Sequence, residues 1–571
     1  MAMASPVKKL KYNTWLRFIL TVAVIILAAR GLSFFHLRID LTEDGRYTLS
    51  APARKILGNI RNDIFIQVYL DGDMPIPLKR LRRSVMEMLD EFRLASHRKI
   101  DYEFINPAGV KDADQREAQY NALTGKGLYP VDVQASDAEG GKTRKRIFPG
   151  MIINYNGVEV PVNFLKNDQT ISSEKNIQHS IEGLEYEMIQ PISTLTSDTV
   201  YKVAFLEGQG EYKEIQVADI TLNLAKYFTI DRGTIGGQTG ILDKYAALIV
   251  AGPEREFSEP DKLVIDQYIM NGGKVLWMLE EVAVNSDSLS YSGETVALYH
   301  PLNIEDQLFR YGARINPELI QDIDCGVLFI SVSSAPGHNQ ILPAPWLYYP
   351  LLTPNQKHPV TRNINAVLGE FTNTLDTVGL DPAIHKTILL STSDYSRTLS
   401  PPLVISLNET EEEPSEKDFN KKNLPVAVLL EGNFPSAFRN RIVTGLVKDR
   451  NFRLKTLSRP TRMIVVADGD IIRNEVHRAG AGEVPGTLGF DRYSGQTFGN
   501  RDFIINCMNY LVDDKGLLNL RSRQVKLRLL NKSKLMSQRL LWQVINIAGP
   551  VVIVILTAFV YGFFRKRMFT R

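Results

Sequence analysis

Two stretches of this 571-residue chain abandon the usual mixture of apolar and polar positions, one near each end. Phe18 to Phe35 and Leu541 to Phe564 are almost wholly apolar. A bilayer core about 30 Å thick takes about 20 apolar residues in a helix, so the pattern predicts membrane-spanning helices over 18–36 and 541–564. No third candidate span lies between them. Two helices are too few to make a transport pathway of their own, which places function in the intervening body or in what the helices pack against.

Inside the body the periodicities are those of folded α/β structure. Ser50 is placed to cap a short helix from Ala51 to Leu57. Ile64 to Leu70 alternates with the period of a half-buried strand, and Leu81, Val85, Met88, Leu89 and Phe92 recur at helical spacing. Ile100 to Ile105 reads as the next strand, which completes a βαβ unit. Val131 to Val133 and Arg146 to Tyr155 are expected as two hairpin strands joined by a polar turn at Asp137 to Thr143.

A second α/β unit starts near residue 200. Tyr201 to Leu206 and Tyr245 to Ala251 are buried-strand runs, the latter closed by Gly252-Pro253. Ser258-Glu-Pro-Asp261 has the marks of a helix start, with a capping serine, proline in the first turn and an acid at the third position. That helix is expected to stop at Asn271-Gly272-Gly273. Lys274 to Leu279 follows as a strand, giving the crossover of a doubly wound parallel sheet. Val426 to Leu430 and Met463 to Ala467 are further strand candidates, and Phe503 to Val512 a terminal helix. Glu409 to Asp418 reads as a solvated acidic loop.

The fold class expected is therefore α/β, with two extracytoplasmic α/β domains between terminal membrane helices. The divisions are a cytoplasmic N-terminus (1–17), a first helix (18–36), a first domain (37–198) and a second domain (199–514). A basic juxtamembrane linker (515–540), a second helix (541–564) and a cytoplasmic tail (565–571) complete the chain. Topology follows from charge. Lys8, Lys9, Lys11 and Arg17 precede the first helix, and Arg565, Lys566, Arg567 and Arg571 follow the second, so both termini are expected in the cytoplasm of a cell with an inner membrane and a periplasm. The opposing signal is the basic stretch from Arg521 to Arg539; long domains translocate largely regardless of such charge, and the stretch suits contact with membrane lipid headgroups or an acidic partner surface, or serves as a solvated juxtamembrane linker. A cleaved signal peptide fits the first segment less well, because no small-x-small site ends its apolar run.

Composition narrows the function. A net charge of +3 gives no argument for nucleic-acid binding, and no nucleic-acid motif is visible. Cys325 and Cys507 are the only cysteines, without a CxxC or Cys/His cluster, which argues against a zinc site or a disulfide framework. Gly140-Gly141-Lys142-Thr143 imitates part of a phosphate loop, but the glycine such a loop needs five residues earlier is Ser136. There is no Gly-x-Ser-x-Gly elbow, and the turn after Trp277-Met-Leu279 offers Glu280 where a nucleophile would stand. No catalytic residue, metal ligand or cofactor is expected.

Doubly wound sheets take ligands beyond the carboxyl ends of their strands. Those ends carry Glu207, Gln209 and Glu211, then Glu254 to Glu256, then Glu280-Glu281. Glu207, Gln209 and Glu211, with Trp346 of the aromatic Trp346-Leu-Tyr-Tyr349 segment as a stacking surface, are the candidate ligand residues for a sugar- or peptide-binding receptor, although such an aromatic cluster more often lies in a core. Gln543, Asn546 and Gly549 are the candidates for contact with a membrane partner, since polar and small residues in a span suit protein packing.

Several motifs carry a resemblance. They are Arg38-Ile-Asp-Leu-Thr-Glu-Asp-Gly-Arg-Tyr-Thr-Leu-Ser50, Val68-Tyr-Leu-Asp-Gly-Asp73 before Leu78-Lys-Arg-Leu81, Phe104-Ile-Asn-Pro107, Phe205-Leu-Glu-Gly-Gln-Gly-Glu211, and Gly499-Asn-Arg-Asp-Phe503 through Asp513-Asp514. Their order between two anchors resembles the gliding-motility-associated ABC transporter auxiliary proteins (GldG type) of Bacteroidetes. The resemblance implies a partner ATPase subunit and a multi-span permease subunit. It also implies a second domain like the class I glutamine amidotransferases, lacking their catalytic residues. The expected function is a non-catalytic, membrane-anchored accessory subunit of an ABC transport system, for gliding motility or export of an envelope component; the tethered sugar or peptide receptor is the alternative.

Overall fold

The computed structural model describes residues 48–520 apart from 111, 137–141, 166–172, 198–199, 336–337, 380, 412–413, 444, 447–451, 481, 493, 514–515 and 519, together with 19–24, 27 and 537–569. The polar turn at 137–141, most of the motif at 38–50 and most of the basic linker lie outside the described residues. Two compact units result, Met1–Arg523 and Gln524–Arg571.

The first unit opens with α1 (Ala51–Gly58), where Ser50 Oγ accepts from the Ala53 N–H at 3.2 Å and Pro52 occupies the first turn. Strand β1 (Ile64–Val68) runs parallel to β2 (Ile100–Phe104), joined by α2 (Ile76–Ala95), whose Leu78, Leu81, Val85, Leu89 and Phe92 are buried. Helix α3 (Ala113–Gly125) then leads to a separate hairpin of β3 (Val131–Ser136) and β4 (Lys142–Ile147). The expected single strand from Arg146 to Tyr155 is in fact two. Phe148-Pro149 separates β4 from β5 (Gly150–Tyr155), because proline has no N–H to give a ladder. Strand β5 joins the other sheet, antiparallel to β1 and to β6 (Val158–Asn163). Helix α4 (Ser173–Leu195) packs on α2.

The larger sheet holds β7 (Lys202–Glu207), β8 (Thr229–Thr234), β9 (Ala247–Ala251), β10 (Val275–Met278), β11 (Cys325–Ala335), β12 (His338–Pro354), β13 (Ile384–Ser391), β14 (Pro425–Gly432) and β15 (Thr461–Val466). Their order is β11-β12-β13-β14-β15-β10-β9-β7-β8. The run β8-β7-β9-β10-β15 is parallel throughout, and the rest is antiparallel. Between β7 and β8 lies α5 (Ala218–Leu224), and between β9 and β10 lies α6 (Glu259–Met270). Ser258 caps α6 by accepting from the Asp261 N–H, and Asn271 closes it. Helix α7 (Asn500–Val512) ends the body. The chain reaches out from β7 to β8 and returns on the other side to β9, which makes the carboxyl ends of β7 and β9 the topological switch point.

Strands buried on both faces explain their nearly unbroken apolar runs. Leu276 and Met278 of β10 enter one core, which runs from Leu49 to Leu520 and includes α1, α2, α4 and α7. Val275, Trp277 and Leu279 enter a second core with α6 on the opposite face. Residues before and after 198 therefore share the first core, and the change of sheet falls between β6 and β7. A third, smaller core gathers Trp346, Tyr348 and Phe371 under the antiparallel excursion of residues 313–407.

In the second unit, α8 (Arg539–Phe569) is a single helix whose apolar side chains face outward, Ile553 and Phe559 at 65% and 76% exposure. Over 29 residues, Arg539–Arg567, it is long and apolar enough to cross a membrane, and it is the one such helix among the described residues. Of the expected first span, residues 19–24 and 27 are described, and they are helical; the remainder lies outside the described residues.

Candidate functional site

Four strand-end loops meet beyond the carboxyl ends of β7, β9, β10 and β15. The loop after β7, Gly208 to Tyr212, crosses the switch point and zips onto the loop after β9. The Gln209 carbonyl accepts from the N–H groups of Glu254 at 2.9 Å and Arg255 at 2.8 Å, and the Tyr212 N–H donates to the Ala251 carbonyl at 3.1 Å. The Tyr212 ring lies directly over Gly252. A Cβ on Gly252 would stand 2.5 Å from the ring, and its φ of +56° already belongs to glycine. Gly469, after β15, closes the other side: a Cβ there would approach the Gly252 Cα to 3.0 Å. The place where this sheet type receives a ligand is thus filled by the chain's own backbone and a tyrosine.

Beneath Tyr212 sits a buried carboxylate group that joins the loops. Glu280, after β10, accepts at Oε1 from the N–H groups of Gly469 (2.9 Å) and Asp470 (3.2 Å). Asp468, fully buried, accepts at Oδ2 from Thr372 Oγ1 at 2.5 Å and the Glu370 N–H at 3.0 Å, and at Oδ1 from the Ile471 N–H at 3.2 Å. Asp470 Oδ1 accepts from the Tyr212 hydroxyl at 2.7 Å and pairs with Arg473 Nε at 2.6 Å. Arg473 Nη2 reaches Glu370 Oε2 at 2.9 Å. Arg473 thus pairs directly with two of these four carboxylates, Asp470 and Glu370.

Such an excess of buried negative charge holds protons. Burial, then the neighbouring Asp470 and Asp468, push the Glu280 carboxyl well above its ordinary range. Burial and Asp470 do the same to Asp468. Glu370 is raised by burial to about 7 against the pull of Arg473, and nearby Glu281 to about 8, again chiefly by burial. Glu280, Asp468 and Glu370 titrate as a set. Ligand oxygens of Glu280, Asp468 and Asp470 lie within 4.8 Å of one another, a donor set that suits a hard divalent cation. Each of the three also accepts hydrogen bonds that tie loop to loop, and as it stands the cluster is a latch.

The expected ligand residues divide. Glu207, Gln209 and Glu211 come together at the switch point. Glu207 pairs with Arg232 at 2.7 Å, and Gln209 Nε2 donates to Asp261 at 3.2 Å. Gln209 Oε1, Glu211 Oε1 and Arg232 Nη1 are buried without a hydrogen-bond partner among the described residues. Trp346 is elsewhere, 1% exposed in the third core against Tyr348 at 5.2 Å, and cannot stack on a ligand from there. Glu409, expected in a solvated loop, accepts instead from Gln321 at 3.1 Å and from the Ser406 N–H at 3.1 Å, anchoring a short 3₁₀ turn. Sequence reasoning reached Glu280 but missed Asp468, Asp470, Arg473, Tyr212 and Glu370. The Asp468-Gly-Asp470 that ends the β15 run was the available signal. The cysteines stay apart from this place: burial raises Cys325 to about 11 and Cys507 well above the usual thiol range, which leaves both as unreactive thiols. Gln543, Asn546 and Gly549 all lie on α8.

A domain of unknown function (DUF7088) matches residues 43–154. No curated protein matches the chain. Among solved structures, the mmIFT52 N-terminal domain is similar at 14% identity, over 55% of this chain and 98% of that one, with a TM-score of 0.31, too loose a superposition to carry an argument. The family model described as "ABC-type uncharacterized transport system" (ABC_transp_aux) matches residues 201–507, which is more than half of the chain. By that match the chain belongs to this ABC transport auxiliary family, and its role is that of an accessory component in an ABC-type transport system.

Proposed function

We propose that the chain is a non-catalytic accessory subunit that docks onto the permease of an ABC transporter and presents a large body outside the cytoplasm. The observation that carries this reading is the closed switch point. In a family of transport accessories, the ligand crevice of the doubly wound sheet is filled by Tyr212 and latched by Glu280, Asp468 and Asp470. The parallel strand order supports the finer comparison with class I glutamine-amidotransferase folds in a form without catalytic residues. Function then resides in surfaces. Helix α8, with Gln543, Asn546 and Gly549, is the docking element for a multi-span permease, which in turn couples to an ATPase subunit. Both termini lie in the cytoplasm, the body in the periplasm, and the system serves gliding motility or export of an envelope component, as the motif resemblance suggests.

The test is a swap of α8 for an unrelated apolar helix in the full chain. The proposal expects the body to fold and reach the membrane while association with the permease is lost. Unchanged association would remove α8 from the account, and hydrolysis of ATP or an amide by the purified chain at enzymatic rates would remove the non-catalytic role. A second reading, a tethered sugar or peptide receptor, draws support from the unpartnered Gln209 Oε1, Glu211 Oε1 and Arg232 Nη1. A ligand at 100 times its Kd would add about 2.7 kcal/mol of stability, so a thermal screen of glycans and peptides with no shift counts against it.

A further inference from the structure

A cavity of about 290 Å³ opens on the far side of the body from any strand-end loop residue named above, between α4, the turn from α5 into β8, and the end of α7. Its inner wall is Tyr186, Phe228, Val512 and Leu518, all buried and all part of the larger core. Two polar groups stand out in this apolar lining. Asn509 has a buried Nδ2 that finds no acceptor among the described residues, and Lys226 stands at the mouth. A concave apolar site with a few convergent polar groups is the usual form of a small-molecule pocket. The volume is roughly twice the ~150 Å³ that takes a benzene, enough for a short alkyl chain or two fused rings.

We propose that this cavity binds a single-chain amphiphile with an acidic head, its apolar body against Tyr186, Phe228 and Val512 and its head group at Lys226 within reach of the Asn509 amide. The rim acid Asp513 is held to the chain, its Oδ2 accepting from the Leu518 N–H at 3.0 Å, so its charge stays at the rim beside that of Lys226 and the Asn509 amide decides the sign of the head group. An apolar tail matches the inner wall, the Asn509 Nδ2 has no acceptor among the described residues, and Lys226 Nζ, which donates to Asn223 Oδ1 at 2.9 Å, keeps further ammonium protons for an incoming oxygen. A cationic amphiphile would meet the like charge of Lys226 and leave the Asn509 donor unsatisfied, with only Asp513 in its favour.

The experiment uses the full chain in phosphatidylcholine nanodiscs with three photoreactive probes, a diazirine-bearing decanoic acid and the alcohol and amine of the same length, with adducts mapped by mass spectrometry. The acid is expected to label peptides within 186–201, 225–228 or 509–518, saturably, and at least about tenfold more than the amine. Ser193→Leu, which fills the cavity from a buried position on α4, should abolish that labelling while the thermal midpoint holds or rises. Lys226→Met should erase the preference for the acid. If Ser193→Leu lowers the midpoint, Ala225→Phe at the exposed mouth takes its place. Labelling confined to 539–569, labelling undiminished in the filled variant, or equal labelling by acid and amine each overturns the proposal.

Discussion

Arg473 is the one cation paired with the latch carboxylates among the described residues, and Arg473→Met tests whether the latch holds the strand-end loops. Its side chain is 30% exposed, Asp470 is 9% exposed and Glu370 28%. Removing one partner of a fully buried ion pair costs about 3–5 kcal/mol because a charge is left unpaired; the partial exposure of Arg473 places the expectation near the lower end, about 3 kcal/mol at pH 8. The cost should depend on pH, with a sign set by Glu370. Its folded pKa of about 7 lies above the ordinary carboxylate value, so its contribution is fully present below the unfolded pKa and is lost as pH rises through 7. Removing Arg473 takes away the group that pulls this pKa down, so the variant loses stability more steeply than the wild type as pH rises. At pH 5.5, where Glu370 is protonated in both proteins, the cost should fall to about 1–2 kcal/mol, the size of a lost charge-assisted hydrogen bond to Asp470. Urea unfolding of the full chain in mild detergent, read by the fluorescence of buried Trp277 and Trp346, gives both numbers. Equal costs at the two pH values, or a cost under about 1 kcal/mol at pH 8, would refute the argument that Arg473 compensates buried carboxylates.

Three further outcomes follow from the same geometry. Gly252→Ala combines a strained φ with a clash against Tyr212 and should cost about 2–3 kcal/mol; adding Tyr212→Ala should recover part of that loss, which a double-mutant cycle of unfolding free energies measures. Trp346→Ala should cost about 3–5 kcal/mol, as for a buried aromatic, and leave any ligand response of the wild type intact in a thermal-shift assay. Replacing Gln543 and Asn546 with leucine should leave the unfolding of the body unchanged but reduce recovery of a membrane partner on co-purification.

Local signals read well where the chain obeys one rule at a time. The β9–α6–β10 crossover was legible from Ser258, Pro260 and Asn271-Gly272, because caps and breakers act within a turn. Strand β1 and helix α2 were legible from periods of two and near four. Helix α4 was harder, although Leu184, Met188 and Ile192 repeat every four residues, because Pro191 sits inside it. The excursion at 313–407 pairs strands distant in sequence, with Ala313–Asp322 lying between Asn373–Thr377 and Ser396–Leu399, and such pairings leave no local trace. The latch was illegible for the same reason. Glu280, Asp470 and Tyr212 are brought together by the parallel order of β7, β9, β10 and β15, which no single segment encodes. The switch-point residues Glu207, Gln209 and Glu211 were found because the carboxyl-end rule needs only the strand boundaries.

The central claim is that this chain works as part of an ABC transporter through its membrane helix. Affinity purification of the full chain from native membranes in mild detergent, with mass spectrometry of what accompanies it, tests that most directly. The account predicts a multi-span permease and an ATPase in near-stoichiometric amounts, both lost when α8 is exchanged. Recovery of the chain alone, or with envelope polymers only, would contradict it.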